Sequence, residues 1–192
     1  DEVIAVNSSK SRTILISETG YYVNIDTEEI PVVGARASGV KGMNLKDDFL
    51  VAGLSLGSSE YLSIFTNNKT AKRIRVSELE THNRAKKGST LMKKVKSFDY
   101  KIIKALLTDG KDELYLKSDN EITKIKNTDI SILDLKSTGG TVSKYKIDDV
   151  FTNTISDNSL KKAKEPKEEV KNLEEDNNAT EERPEEKAPT ET

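Results

Sequence analysis

The stretch that determines the fold is RTILISETGYYVNI, which occupies residues 12–25. Two short runs rich in β-branched and aromatic residues, 12–16 and 21–25, flank the polar turn Glu18-Thr19-Gly20. Short runs of this composition, separated by a few turn residues that include glycine, are typical of a β-hairpin. The stretch therefore predicts two antiparallel strands.

The hairpin pattern returns twice, at a spacing close to 50 residues. Second copies of the two strands lie at 61–65 and 71–76, and third copies at 113–116 and 121–125. Three landmarks share this spacing, and they align residues 14–16 with 64–66 and 114–116, Gly39 with Gly88 and Gly139, and Phe49 with Phe98. About four short strands in each such repeat are typical of bladed all-β proteins. We predict an all-β, propeller-like array with repeats at about 3–57, 58–108 and 109–156.

Charge is distributed unevenly along the 192 residues. The whole chain carries 31 Lys and Arg residues against 33 Asp and Glu residues, a formal net charge of −2. Residues 69–104 hold 12 basic and 3 acidic side chains, whereas residues 157–192 hold 7 basic and 12 acidic ones. The near-neutral total therefore conceals a basic middle segment, which has the electrostatic character of a nucleic-acid binder.

The final segment, 157–192, lacks an apolar pattern and is rich in Glu, Lys and Pro. A segment of this composition cannot bury enough apolar surface to offset the entropy that it loses on ordering. We therefore predict a disordered acidic tail at 157–192, after a folded part at 1–156.

The residues present also argue against several classes of function. The chain has no cysteine, so it has neither disulfide bonds nor thiolate metal ligands. His82 is the one histidine, and alone it completes neither a metal site nor a catalytic triad, so we expect it in a surface loop. The apolar runs fall far short of the roughly 18 residues that a membrane span needs. We expect no catalytic residue, metal site, cofactor or transmembrane segment in this part of the protein.

Residues 30–51 read IPVVGARASGVKGMNLKDDFLV. This stretch resembles the repeat of the C-terminal DNA-binding domain of bacterial type IIA topoisomerase A subunits, the family of DNA gyrase and DNA topoisomerase IV. The later RAKKG at 84–88 resembles the corresponding loop of the topoisomerase IV protein of Gram-positive bacteria. The resemblance spans about residues 3–156 and is strongest in the first repeat.

The resemblance implies a β-pinwheel, which is a closed wheel of propeller-like blades, about five or six in this family and within the range of bladed folds. Three repeats then form half of a wheel. Because a half wheel exposes unpaired blade edges, we expect the other half upstream of residue 1.

The function implied by the resemblance is DNA binding and bending within the A subunit of DNA topoisomerase IV. In the holoenzyme, an A-subunit homodimer joins two B subunits of topoisomerase IV in an A2B2 heterotetramer, which relaxes supercoils and decatenates chromosomes by double-strand passage. Mg²⁺ and ATP are bound elsewhere in that assembly. The resemblance also implies a cytoplasmic, nucleoid-associated protein with peripheral association with the cell membrane.

Two alternatives remain open. The first is the A subunit of DNA gyrase, whose family members carry a Gln-Arg-Arg-Gly-Gly-x-Gly box; this sequence has no such box, which favours topoisomerase IV. The second is a non-enzymatic propeller that binds proteins, with its basic edge facing an acidic partner.

Ten basic residues are the candidate contacts with double-stranded DNA. The resemblance implies that the loop around Gly39 lies at the blade rim where the DNA backbone passes, and glycine permits close backbone approach while Arg and Lys bind phosphate. Arg73 and Arg75 alternate along one predicted strand, so we expect both to point outward. The predicted contacts are Arg36, Lys41, Arg73, Arg75, Arg84, Lys86, Lys87, Lys93, Lys94 and Lys96.

Overall fold

The computed structural model describes residues 2–119 and 121–152. The tail predicted at 157–192 lies outside the described residues. Within them the chain forms eleven strands: β1 Arg12–Ser17, β2 Tyr21–Asp26, β3 Leu50–Leu56, β4 Tyr61–Thr66, β5 Thr70–Arg75, β6 Ser89–Thr90, β7 Ile102–Thr108, β8 Glu113–Lys117, β9 Ile122–Lys126, β10 Gly140–Thr141 and β11 Asp149–Thr152. Short 3-10 turns follow β2, β5 and β9 at Thr27–Glu29, Val76–Glu78 and Asn127–Asp129. The all-β prediction is confirmed, and the six predicted hairpin strands agree with β1, β2, β4, β5, β8 and β9 to within one residue.

The strands form three antiparallel blades. The first has the strand order β3-β1-β2-β6, the second β10-β5-β4-β7 and the third β11-β8-β9. β6 belongs to the second repeat in sequence but completes the first blade, and β10 of the third repeat completes the second blade in the same way. Each of the first two blades therefore obtains its fourth strand from the repeat that follows it.

Apolar side chains of neighbouring blades meet in shared cores. Ile14 and Ile16 of β1 are fully buried in one cluster with Leu62, Ile64 and Ile74 of the second blade. A second cluster joins the second blade to the third and includes Phe65, Ala71, Leu114, Leu116 and Ile130. Because the second blade packs against a neighbour on each side, β4 and β5 are buried along almost their whole length.

Two glycines let the exchanged strands approach their acceptor strands closely. Gly88 has φ +82°, and a Cβ atom there would lie 1.8 Å from the carbonyl oxygen of Tyr22. Gly139 has φ +93°, and a Cβ atom there would lie 2.7 Å from the carbonyl oxygen of Ala71. Only glycine fits this backbone and this contact. The glycine landmark of the repeats thus marks the start of each exchanged strand.

The predicted alignment of the hairpins is wrong by one residue. Ile16 pairs with Tyr22 in the first blade, and Phe65 pairs with Ala71 in the second, so Ile16 corresponds to Phe65 at an offset of 49 residues. The 3-10 turns repeat at offsets of 49 and 51, as the glycines do. The landmark that pairs Phe49 with Phe98 also fails, because Phe49 directly precedes β3 whereas three residues separate Phe98 from β7.

Candidate nucleic-acid interface

Two basic loops from successive repeats lie side by side. The backbone N–H of Asn44 donates to the carbonyl of Lys86 at 2.8 Å, and the N–H of Ala85 donates to the carbonyl of Gly42 at 2.7 Å. The Arg84 guanidinium also donates to the carbonyl of Lys41 at 3.1 Å. These bonds hold the loop of the first repeat against the RAKKG loop of the second, so that their cations share one surface.

The same surface continues into a cleft beside Tyr21. The Lys87 ammonium lies 4.0 Å from the centroid of the Tyr21 ring, which is a cation–π contact. Lys87, Lys94, Tyr21 and Met43 line one cleft of about 230 Å³. The two loops and the cleft bring together five predicted contacts from both repeats. We call these five residues the basic surface: Lys41, Arg84, Lys86, Lys87 and Lys94.

Acidic groups limit the charge of this cleft. Asp48 also lines it, and this carboxylate accepts hydrogen bonds from the backbone and hydroxyl of Thr19 and from the backbone of Phe49. Burial raises the pKa of Asp48, but hydrogen bonds led by those from Ser17 and Thr19 outweigh burial and lower its pKa. Asp48 therefore stays ionised at neutral pH, and Lys87 and Lys94 face a mixed environment.

Three further residues predicted to contact DNA are exposed. The hydrogen bonds and the cation–π contact described above do not connect them to the basic surface. Arg36 lies in the exposed loop before Gly39. Lys93 and Lys96 are exposed on the segment after β6, where the Lys93 N–H donates to the carbonyl of Lys136 at 3.0 Å. That bond fixes this segment against the third repeat.

Arg73 does not point outward, so this prediction is wrong. Its side chain is 7% exposed, and its Nε donates to the carbonyl of Ile130 at 2.7 Å. Its guanidinium lies 4.8 Å from the centroid of the Tyr61 ring. The segment 131–133 of the next repeat covers this part of β5, because Leu133 donates to the Arg73 carbonyl and Ser131 accepts from the Arg73 N–H. Arg75, by contrast, is exposed and pairs with Glu78 at 3.4 Å.

The structure also contains a buried cation that the sequence reasoning missed. Lys72 is 2% exposed, and its ammonium donates to the carbonyls of Leu91, Asp134 and Leu135 at 2.7, 3.0 and 2.6 Å. Burial lowers the pKa of Lys72 to about 7, against an opposing effect of Asp134. These hydrogen bonds connect Leu91, which lies just before Lys93 and Lys94, to the segment 134–135 of the third repeat. Lys72 aligns with Tyr22 at the predicted offset of 50 and with Val23 at the corrected offset of 49, and both of these residues are fully buried, so either alignment signals a buried position.

Comparisons with known proteins agree with this architecture. The sequence profile of the DNA gyrase C-terminal domain, a β-propeller, matches residues 13–55 and 60–109. The A subunit of DNA topoisomerase 4 from Bacillus subtilis (strain 168) is 37% identical over 116 residues, which are 59% of this chain and 14% of that protein. Its counterpart from Streptococcus pneumoniae serotype 4 is 31% identical over 152 residues, which are 78% of this chain and 18% of that protein.

A solved structure gives the same result. The C-terminal domain of DNA topoisomerase IV matches with a TM-score of 0.70 and 29% identity, over 75% of this chain and 47% of that chain. The chain belongs to the family of C-terminal β-pinwheel domains of type IIA topoisomerase A subunits. It spans less than a fifth of the length of the two curated relatives named above.

His82 has a structural place in this pinwheel. The prediction of a surface loop holds for its position, since His82 lies in the connection before β6 between the exposed residues Thr81 and Asn83, but the ring is half-buried and lies edge-on to Tyr22 at 5.2 Å between centroids. Its Nδ1 accepts from the N–H of Asn24 at 3.2 Å, and its Nε2 lies 2.9 Å from the Ser89 hydroxyl. Burial lowers the pKa of His82, which favours the neutral ring that can accept this bond. His82 thus joins the segment before β6 to β2.

The described part of the pinwheel offers no metal centre and no membrane-spanning helix. Among residues 2–119 and 121–152, three or more His, Cys, Asp or Glu side chains nowhere come together in a group that could hold a metal ion. In the same ranges no helix has the length and apolar character to cross a bilayer.

Proposed function

We propose that this pinwheel is the DNA-binding and DNA-bending part of the A subunit of a DNA topoisomerase IV. The observation that carries the proposal is the basic surface, in which cations of two successive repeats are fixed side by side by backbone hydrogen bonds. Cations held in an arc along successive blades neutralise successive phosphates of a duplex, and they favour a bent path over a straight one.

The proposed contacts are Arg36, Lys41, Arg75, Arg84, Lys86, Lys87, Lys93, Lys94 and Lys96. Arg73 leaves the set because its guanidinium is occupied inside the fold. Lys72 and Arg73 act instead by holding the contact segments in place. All of these contacts are to the DNA backbone, so we expect binding without sequence preference.

In the whole enzyme, this part holds and bends the duplex that is transported. Two A subunits and two B subunits form the A2B2 assembly, and the B subunit hydrolyses ATP with Mg²⁺ to drive double-strand passage. The enzyme relaxes supercoils and decatenates chromosomes in the cytoplasm, at the nucleoid and with peripheral association with the cell membrane. The curated relatives named above are A subunits of topoisomerase 4, which favours this branch over gyrase.

A salt series tests the proposal. Fluorescence anisotropy with a nonspecific duplex should give binding that weakens as salt rises. The variant Lys86→Ala/Lys87→Ala/Lys94→Ala should flatten the slope of log K against log salt by roughly 0.9 for each phosphate contact that it removes. The matched control changes three exposed lysines of the third blade, Lys111, Lys117 and Lys126, to alanine.

The result separates the proposal from a protein-binding propeller. A triple variant that binds duplex at low salt as tightly as the wild type would overturn the DNA-binding surface. No duplex binding by the wild-type chain would favour an acidic protein partner instead. A donor–acceptor dye pair at the ends of a short duplex then measures bending, and we expect the ends to approach when the wild-type chain binds.

A further inference from the structure

The segments that lead into β3, β7 and β11 lie beside the hairpin turns of the blades. We call residues 42–49, 91–101 and 142–148 the edge segments. The Leu91 N–H donates to the carbonyl of Gly20 in the turn of the first blade, and the Val142 N–H donates to the carbonyl of Lys69 in the turn of the second blade. The edge segments therefore run along the turns of successive blades. The backbone hydrogen bonds at their far ends join Phe49 to Glu18, Lys101 to Asn67 and Asp148 to Lys117.

Each edge segment exposes one aromatic ring. Phe49 is 70% exposed, Phe98 is 40% exposed and Tyr145 is 52% exposed. In the ranges 2–119 and 121–152 the further exposed aromatic ring is Phe151, so three of these four rings lie in the edge segments. Single exposed rings are ordinary, but apolar side chains that gather at one edge, with polar groups around them, mark an interaction surface.

Lysines accompany two of these rings, Phe98 and Tyr145. The edge segment of Phe98 also carries Lys94, which belongs to the basic surface and lines its cleft with Lys87. A partner that meets these two rings therefore meets cations at the same time, which is the combination that a nucleic acid satisfies with its bases and phosphates. The exposed lysines beside the two rings are Lys94, Lys96, Lys144 and Lys146.

Phe49 has different neighbours, although its ring is the most exposed of the three. Asp47 and Asp48 directly precede it, and together they outweigh the charge of the nearby Lys46. Carboxylates repel the phosphates of a duplex. Phe49 therefore offers an exposed ring of the same kind in surroundings that do not favour DNA.

The rings of Phe98 and Tyr145 lie on backbone that is already held in place. The Phe98 ring meets the ring of Tyr100 edge-on at 4.9 Å between centroids, and its carbonyl accepts from the Tyr100 N–H at 3.1 Å. Beside Tyr145, the carbonyl of Lys144 accepts from the Lys69 ammonium at 2.9 Å. A side chain that is positioned before binding loses less conformational entropy when it binds.

We propose that Phe98 and Tyr145 insert between base pairs of the bound duplex from the minor groove, while the lysines beside them bind the flanking phosphates. Apolar side chains that insert in this way unstack a base step and kink the duplex by about 20° or more. The proposal rests on the proposed function, because it requires a duplex on this surface. It adds local kinks at two blades to the smooth bending that phosphate neutralisation gives.

The test measures kinking separately from phosphate binding. The full 192-residue chain is added to a short duplex that carries a dye at each end and 2-aminopurine in place of adenine at TA steps, which unstack easily. We expect wild-type binding to bring the ends together and to raise the 2-aminopurine fluorescence. Phe98→Ala/Tyr145→Ala should reduce the bend by about 20° or more and abolish the fluorescence rise. Its salt slope should not change, because every lysine remains.

Two further variants make the comparison specific. Phe49→Ala is the matched control, since it removes the most exposed ring of the edge segments and should leave both the bend and the fluorescence rise unchanged. Phe98→Leu/Tyr145→Leu keeps an apolar side chain that can insert, so it should retain most of the bend. Circular dichroism checks that each variant is folded. Tyr145→Ala alone, at a ring that is half exposed, gives a second test if the double alanine variant does not fold.

Several results would overturn the proposal. They are a double alanine variant that bends the duplex as the wild type does, a wild type that bends it without a rise in fluorescence, and a Phe49→Ala variant that loses as much bending. Unchanged bending together with lost binding to vesicles of phosphatidylglycerol and phosphatidylcholine would assign the rings to a membrane surface instead. A wild type that does not bind duplex at all would overturn the proposed function as well, whereas the other results leave it standing.

Discussion

The return strands of the second and third blades have similar sequences and very different surroundings. β5 reads TAKRIR and β9 reads ITKIK, and each ends with an isoleucine between two basic residues. Lys72 and Arg73 of β5 are buried, whereas Lys124 and Lys126 of β9 are exposed. The difference comes from the segments of the next repeat that cover β5 and that β9 lacks within the described residues. In a fold that exchanges strands, the burial of a residue thus depends on the repeat that follows as well as on its own strand.

The largest expected effect tests the covered strand directly. Gly88→Ala places a methyl group against the backbone of Tyr22 at a positive φ, and we expect a loss of about 4 kcal/mol of stability from backbone strain and overpacking combined. Gly39→Ala also places a side chain at a positive φ, but nothing lies within 4 Å of the Cβ position. We therefore expect it to lose only about 1 kcal/mol of stability. Urea denaturation followed by circular dichroism measures both. Equal losses of stability in the two variants would show that the close contact between residue 88 and the backbone of Tyr22 adds nothing to the effect of the positive φ.

The second effect concerns the buried ammonium. Lys72→Met keeps the volume but leaves the carbonyls of Leu91, Asp134 and Leu135 without their donor, so we expect a loss of about 3 kcal/mol. Lys124→Met is the matched control, because Lys124 pairs with Glu113 at the surface and its replacement should leave stability unchanged. Urea denaturation of both variants measures the two losses of stability. Equal denaturation midpoints would contradict a stabilising role for the hydrogen bonds of Lys72.

Arg73 and Arg75 provide a smaller contrast within one strand. Arg73→Ala removes the hydrogen bond to Ile130 and the contact with Tyr61, and we expect a loss of about 2 kcal/mol with no change in the salt slope of DNA binding. Arg75→Ala should leave stability unchanged. It should flatten the slope of log K against log salt by roughly 0.9, which is the contribution of one phosphate contact. Denaturation and anisotropy on the same samples separate the two roles. A flattened slope for folded Arg73→Ala would restore Arg73 to the contact set.

The sequence was sufficient for the hairpins but not for the strands that the repeats exchange or for the burial of their charges. β-branched runs and turn residues located the hairpins to within one residue, because local composition governs where a strand begins and ends. Arg73 was placed wrongly because the alternation argument assumes that one face of the strand is exposed to solvent. In β5 both faces are buried along almost the whole strand. Lys72 was missed because the carbonyls that accept from it belong to Leu91, Asp134 and Leu135, which lie far along the chain and leave no mark on the local pattern of β5. The contact between the loops at Lys41 and Arg84 depends on hydrogen bonds between repeats, which no local pattern records.

The last effect, which accumulates gradually over several pH units and is the most specific to Lys72, is a dependence of stability on pH. Burial lowers the pKa of Lys72 to about 7 in the folded chain, while the unfolded chain keeps a lysine pKa near 10.5. Between these values the unfolded chain binds a proton that the folded chain does not, so stability rises with pH, by about 1 kcal/mol per pH unit for this group. Lys72→Met should lose this slope while other titrating groups remain, so the difference between the two chains isolates it. Parallel stability curves between pH values of about 7 and 10 would mean that Lys72 keeps its proton when folded, and that the three carbonyls outweigh its burial.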